Sequence, residues 1–168
     1  MTVTATHTEI IAIDPAVVTS LLELDDAGRE PRMVADDQGG SPLRCCLRLS
    51  RPGEAVALVS YAPLRRWAQV RGVDPGPYDE TGPVFIHAEP CGGRIDGGYP
   101  AELLGSERVL RAYSADGRIL RGVQVQPDDD AERALEDLLA DPQVAVVHGR
   151  AVDFGCFTFE ARRQTNPR

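Results

Sequence analysis

The chain has 168 residues and a net charge of −8, from 18 basic and 26 acidic residues, and every basic side chain is arginine: there is no lysine. That excludes a lysine Schiff base, to PLP or to a carbonyl substrate, and it excludes a phosphate-binding P-loop. An acidic chain repels phosphate backbones and anionic headgroups, so neither nucleic acid nor a membrane is expected as a partner.

No apolar run approaches the roughly 18 residues that span a bilayer. The opening stretch Met1-Thr2-Val3-Thr4-Ala5-Thr6-His7 lacks the basic-then-apolar order of a signal peptide. The expected location is cytoplasmic, which keeps the four cysteines, Cys45, Cys46, Cys91 and Cys156, as reduced thiols. With 42% hydrophobic residues, the length suits one domain able to bury a core without staples. That domain is expected over residues 1–163, with 164–168 as a frayed tail.

In chain order, β-branched residues over 3–13 predict a first strand. Asp14-Pro15 supplies an N-cap and a first-turn proline for a helix over 15–24. A short strand is expected over 31–35. The segment 43–49 alternates, with Leu43, Cys45, Leu47 and Leu49 on one face and Arg44, Cys46 and Arg48 on the other. It reads as a half-buried strand that turns at Pro52-Gly53 into a hairpin partner over 55–61. On a strand, adjacent Cys45 and Cys46 point to opposite faces, which disfavours a disulfide between them.

The stretch 63–82 holds Trp67 and three prolines and reads as a long loop with a short helix over 64–70. A strand over 83–89 leads into a second, glycine-rich loop over 90–98 and a helical turn at 101–104. Segments 108–113 and 118–125 form a hairpin around Ser114-Ala115-Asp116-Gly117. An amphipathic helix follows Asp128-Asp129-Asp130, with Leu135, Leu138 and Leu139 inward and Pro142 as its stop. Strands over 144–147 and 157–161 close the chain. The expected class is α+β: a single domain with a largely antiparallel mixed sheet, two main helices and two long loops. No glycine-rich nucleotide-binding motif occurs, so no nucleotide cofactor is expected.

Chemistry could reside in several side chains. Cys45 reads as core among leucines. Cys46, flanked by Arg44 and Arg48, has a setting that favours thiolate. His87 and His148 are expected at strand ends, where a histidine can act as base, acid or metal ligand or simply hold a structural hydrogen bond. Glu89 or Glu160 could orient one of them. Cys46, His87, Cys91, His148 and Cys156 form the Cys/His set, in which His87-x-x-x-Cys91 is the one close pair of a kind that zinc sites use. Arg44 and Arg111 could clamp a carboxylate or phosphate, and Tyr113 shares a strand face with Arg111. Salt bridges to some of the 26 acids would occupy either arginine equally well.

Taken in order, several segments resemble a bacterial family of unknown function, DUF1203. They are Pro42-Leu43-Arg44-Cys45-Cys46-Leu47, Gly76-Pro77-Tyr78 and Gly82-Pro83-Val84-Phe85-Ile86-His87. Leu110-Arg111-Ala112-Tyr113 follows with Asp116-Gly117. Last come Leu138-Leu139-Ala140-Asp141-Pro142 with Val144, Ala145, Val147 and His148, and then Gly155-Cys156-Phe157. The resemblance spans nearly the whole chain. It implies a one-domain cytoplasmic bacterial protein with no agreed activity, and it places Arg44, Arg111, His148, Gly155 and Cys156 at positions shared with the family. Leu43 stands where many members have cysteine, and many lack the His87-to-Cys91 element. The resemblance therefore implies a common mechanism on Arg44, Arg111, His148 and Cys156 rather than on His87 and Cys91.

Three functional readings follow. In the first, a small-molecule site binds an anionic ligand or performs cofactor-independent catalysis. Arg44, Arg111, Tyr113, Tyr78 and His87 would bind, and His148, Cys156 and Cys46 would be catalytic. In the second, His87, Cys91, Cys46 and His148 hold a zinc-type metal. In the third, the chain is a non-catalytic homodimeric interaction domain, paired through an exposed strand edge.

Overall fold

A computed structural model describes residues 7–164 as one α+β domain with two five-stranded, mostly antiparallel sheets. In chain order the elements are β1 (Thr8–Ile11), α1 (Pro15–Glu23), β2 (Arg32–Asp36), β3 (Pro42–Leu43), β4 (Arg48–Leu49), β5 (Glu54–Tyr61), α2 (Pro63–Arg71), β6 (Gly82–His87), a 3₁₀ turn (Ala101–Leu103), β7 (Arg108–Tyr113), β8 (Ile119–Val125), α3 (Ala131–Ala140), β9 (Val146–Ala151) and β10 (Phe157–Arg163). One sheet runs β1-β10-β9-β7-β8, the other β2-β5-β6-β3-β4. The expected first strand begins outside the described residues at its N-terminal end. Of the expected tail only Gln164 is described, and its N–H donates to the His7 carbonyl at 2.7 Å.

Local signals set the helices. The Asp14 carboxylate accepts from the Ala16 N–H at 2.8 Å and Pro15 opens α1. Asp130 caps α3 in the same way, accepting from the Arg133 N–H at 3.0 Å. Leu135, Leu138 and Leu139 of α3 pack on Leu110, Ala112, Val147 and Phe159 of the first sheet. Val18 and Leu21 of α1 pack on Val56, Val59, Val84 and Ile86 of the second. Leu64, Trp67 and Ala68 make α2 a third full helix, set against Tyr113 and Val146. Trp67 is core.

Three expectations change. The alternating strand over 43–49 does not form; its ends pair as β3 and β4, and residues 44–47 make a turn closed by the Leu47 N–H donating to the Leu43 carbonyl at 2.8 Å. Leu47 takes φ 59°, a left-handed conformation that no strand residue holds. Consequently β5 finds its hairpin partner in β2, with Asp36 opposite Glu54, and not in the 43–49 segment. Finally, His148 is the third residue of β9 rather than a strand end, because Gly149 and Arg150 continue the pairing with Phe159 and Phe157.

Two glycines fix close approaches. Gly117, at φ 80° in the β7–β8 turn, lies under Pro75, so the loop after α2 packs on that turn. Gly149 faces Phe159 across the β9–β10 pair, and the aromatic ring fills the space where a side chain would stand. A Cβ at residue 149 would meet the Phe159 ring at 2.5 Å. Gly149→Ala should therefore destabilise the fold by about 1–3 kcal/mol, as overpacking of a sealed core does. Urea denaturation of the variant measures it, and an unchanged midpoint would contradict this packing.

Candidate metal centre and a second charged cleft

Strand register brings the first group together. β3 pairs parallel with β6, Leu43 opposite Phe85, and the Arg44 N–H donates to the Phe85 carbonyl at 2.9 Å. Two residues further along, Cys45 therefore arrives beside His87 at the end of β6. Because 44–47 is a turn and not a strand, Cys46 swings to the same side. Cys91 returns from the loop four residues past His87. Cys45, Cys46, His87 and Cys91 each offer one ligand atom, and all four atoms lie within 4.8 Å of one another. The Cys45 and Cys46 sulfurs are 4.0 Å apart, and His87 Nδ1 lies 3.2 Å from the first and 3.8 Å from the second.

The other face of the ring is held by acid. His87 Nε2 is 2.8 Å from Glu54 Oε1, and Arg48 grips Glu54 through both guanidinium nitrogens, at 3.0 and 2.5 Å. With its proton on Nε2, the imidazole donates to Glu54 and turns the Nδ1 lone pair toward the sulfurs. Hydrogen bonds from Arg48, joined by the Arg51 backbone N–H, hold the Glu54 carboxyl down at about 2.

The two vicinal thiols are driven apart. A hydrogen bond from Cys45 lowers Cys46 to about 6, assisted by the Arg48 backbone N–H and the Arg48 guanidinium charge. Cys45, donor in that bond and fully buried, is pushed far up. The group opens on a cleft of about 720 Å³ whose walls include Arg48, Glu54, Glu89, Arg94 and Glu102.

A second group sits on the other sheet. Arg111, His148 and Glu160 are register partners across β7, β9 and β10. The His148 ring has no exposed surface; it packs against Tyr113 at 4.9 Å and Phe157 at 5.1 Å, with Nε2 3.2 Å from Glu160. Burial opposes ionisation of Glu160, but the bond from His148 and the Arg162 guanidinium overcome it and hold the carboxyl below its ordinary value. In front, Glu80 collects Arg111 Nη1 at 2.7 Å, Arg150 Nη2 at 2.9 Å and the Tyr113 hydroxyl. Burial and this carboxylate push the Tyr113 phenol up. Arg111, Arg150, Glu80 and Cys156 line a cleft of about 370 Å³.

The family model for "Protein of unknown function (DUF1203)" matches residues 40–163, about three-quarters of the chain. The chain belongs to the DUF1203 family. No curated protein and no solved structure matches it. Among the described residues, no helix is long and apolar enough to cross a membrane.

In this DUF1203 chain the residues singled out in the sequence fall into separate places. Cys46, His87 and Cys91 meet, and the metal set needs two corrections. Cys45 belongs to it, because the turn at 44–47 carries both cysteines to one side. His148 does not, because it lies in the opposite sheet, bonded to Glu160. Arg111, Tyr113 and Cys156 gather around the smaller cleft. Arg44 is buried behind it, its Nε donating to the Phe157 carbonyl at 2.7 Å and its Nη1 to the Pro42 carbonyl at 2.5 Å. Tyr78 packs beside the α2 core cluster, outside both clefts.

Glu54, Arg48, Glu80 and Arg150 carry no motif that sequence spacing would flag. Adjacent cysteines upstream of His87-x-x-x-Cys91 were the available sign of the fourth ligand.

These shifts set an order of reactivity. In metal-free protein at pH 7, iodoacetamide should modify Cys46 far ahead of Cys45, with the Cys46 rate half-maximal near pH 6. Peptide mapping with fragment localisation distinguishes the two. Faster modification of Cys45 would refute the assignment of Cys45 as donor and Cys46 as acceptor.

Proposed function

We propose that the protein binds a zinc-type metal ion through Cys45, Cys46, Cys91 and His87 Nδ1. The carrying observation is the convergence of four soft or borderline donors, from a turn, a strand end and a loop, on one point. With metal–sulfur bonds of about 2.3 Å, neighbouring sulfur ligands in a tetrahedron stand about 3.8 Å apart. The Cys45–Cys46 sulfur separation of 4.0 Å is already near that edge length, and His87 Nδ1 stands 3.2 and 3.8 Å from the same two sulfurs. Three thiolates and one imidazole favour zinc over hard cations such as magnesium or calcium.

The outer contacts support the same reading. A metal-bound imidazole usually gives its other N–H to a carboxylate, which fixes the ring and raises its basicity. Glu54 occupies that place, and Arg48 fixes Glu54 in turn. A four-donor set of this kind is the closed, structural type. In that role the ion ties the loop that carries Cys91 to the sheet that carries His87, and so shapes the larger cleft. Neutralising thiolate charge also allows Cys45 and Cys46 to be ionised together.

Protein purified without added metal should contain about one zinc equivalent by elemental analysis, retained through dialysis. Cobalt(II) substituted at the site should show thiolate charge-transfer bands and the visible absorption of a tetrahedral centre. Both should vanish in His87→Ala and persist in Cys156→Ser. Metal below about a tenth of an equivalent, with no cobalt spectrum, would reject the reading. Glu54→Gln keeps all four ligands and removes the carboxylate charge behind the imidazole. It should weaken zinc binding by about 10–100-fold in competition with a chromophoric chelator; an unchanged affinity would remove Glu54 from the site.

A further inference from the structure

The smaller cleft carries a different chemistry and does not depend on the metal reading. Its floor is cationic. Arg111 and Arg150 share one carboxylate, Glu80, so a positive charge remains there. Arg44 adds another: it is buried, its side-chain hydrogen bonds run to backbone carbonyls, and among the described residues it has no carboxylate within ion-pair reach. Nearby Arg108, also buried, adds like charge against it. Arg150 is nine-tenths buried and its Nε has no hydrogen-bond partner. A chain of net charge −8 thus sets two guanidinium groups against one carboxylate in this depression, with the Arg44 guanidinium buried behind it.

The geometry leaves a place for an anion. Glu80 engages Nη1 of Arg111 and leaves the rest of that half-exposed guanidinium available to the cleft. Glu80 takes φ 46°, a left-handed conformation uncommon for a non-glycine residue, and its carboxylate meets both arginines. Beside the charged groups, Tyr61, Pro83, Phe157 and Phe154 give part of the wall an apolar face. Phe154, one of the lining residues, is 85% exposed and belongs to no core cluster. A volume of about 370 Å³ is at the small end for organic ligands.

We infer that this cleft binds a small organic carboxylate, its charged end on Arg111 and its apolar body against Phe154 and Phe157. Guanidinium and carboxylate match in a planar, two-bond geometry, and a desolvated pair of this kind gains from the low dielectric of the cleft wall. Phosphate would use the charge but not the apolar walls, which is why the carboxylate is preferred.

Benzoate is the probe, with inorganic phosphate as the comparison, titrated into the purified full chain by calorimetry at low salt. Benzoate should bind in the millimolar range or tighter. It should also slow alkylation of Cys156 by iodoacetamide in the unaltered protein while leaving Cys91 unprotected. Arg111→Gln should weaken benzoate by roughly tenfold or more, the loss expected for one charge-assisted pair. Phe154→Ala, a surface change that keeps the fold, should weaken benzoate and leave any phosphate response unchanged.

Three results would overturn the inference. One is no benzoate binding together with no protection of Cys156. Another is binding unaltered in a folded Arg111→Gln protein. The third is Arg111-dependent binding of phosphate without binding of benzoate.

Discussion

One buried guanidinium sets the positions of both clefts. The Arg44 side chain donates to the carbonyls of Phe157 in β10 and Pro42 in β3, while its own N–H and C=O bond Phe85 in β6 and Ile13 before α1. Four segments from two sheets therefore meet at one residue. Taking a charge out of water is costly, and it is offset here by charge-assisted hydrogen bonds from the guanidinium to two backbone carbonyls. Beside it the backbone coils at 44–47, closed by the Leu47 N–H on the Leu43 carbonyl, and Leu47 accepts a left-handed conformation. Cys45 and Cys46 leave the alternating pattern together and face His87.

That placement explains why the two vicinal thiols differ so sharply. Side by side and shielded from water, they cannot both ionise against each other's charge, so one proton is shared in favour of a Cys46 thiolate. A divalent cation removes the conflict, since its charge exceeds that of either sulfur and thiol protons are released on coordination. The Glu54–Arg48 pair then lies on the far side of His87 from the sulfurs, and orients the ring without competing for the ion. The metal-free arrangement is a cluster whose internal repulsion a soft cation relieves.

Much of the fold is legible in the chain. Caps at Asp14 and Asp130, the stop at Pro142 and the turn at Ser114–Gly117 are local signals, and the helices and the β7–β8 hairpin lie close to where they point. The family is legible because its segments recur in order over most of the chain. What local pattern could not show is long-range. Alternation over 43–49 reads as a strand, and nothing local in it shows the Arg44 guanidinium bonding the Phe157 carbonyl 113 residues away. The same alternation puts Cys45 and Cys46 on opposite faces and so hides the fourth metal donor. Glu80 is equally hidden, since its importance comes from three partners on β7 and β9 and nothing beside it in sequence announces them.

The absence of lysine bears directly on the buried charge. Burial lowers Arg44 to about 10, with the Arg108 charge reinforcing that fall, and the guanidinium stays ionised at neutral pH. A lysine starts about two units lower and shifts readily on burial; in the same setting it would approach neutrality and lose both its field and its donors. Its single ammonium also could not span the Pro42 and Phe157 carbonyls with the fixed fork that Arg44 uses. An all-arginine complement therefore lets this acidic protein keep permanent positive charge in its interior. The same property leaves Arg111 and Arg150 charged at the cleft floor even while they share one carboxylate.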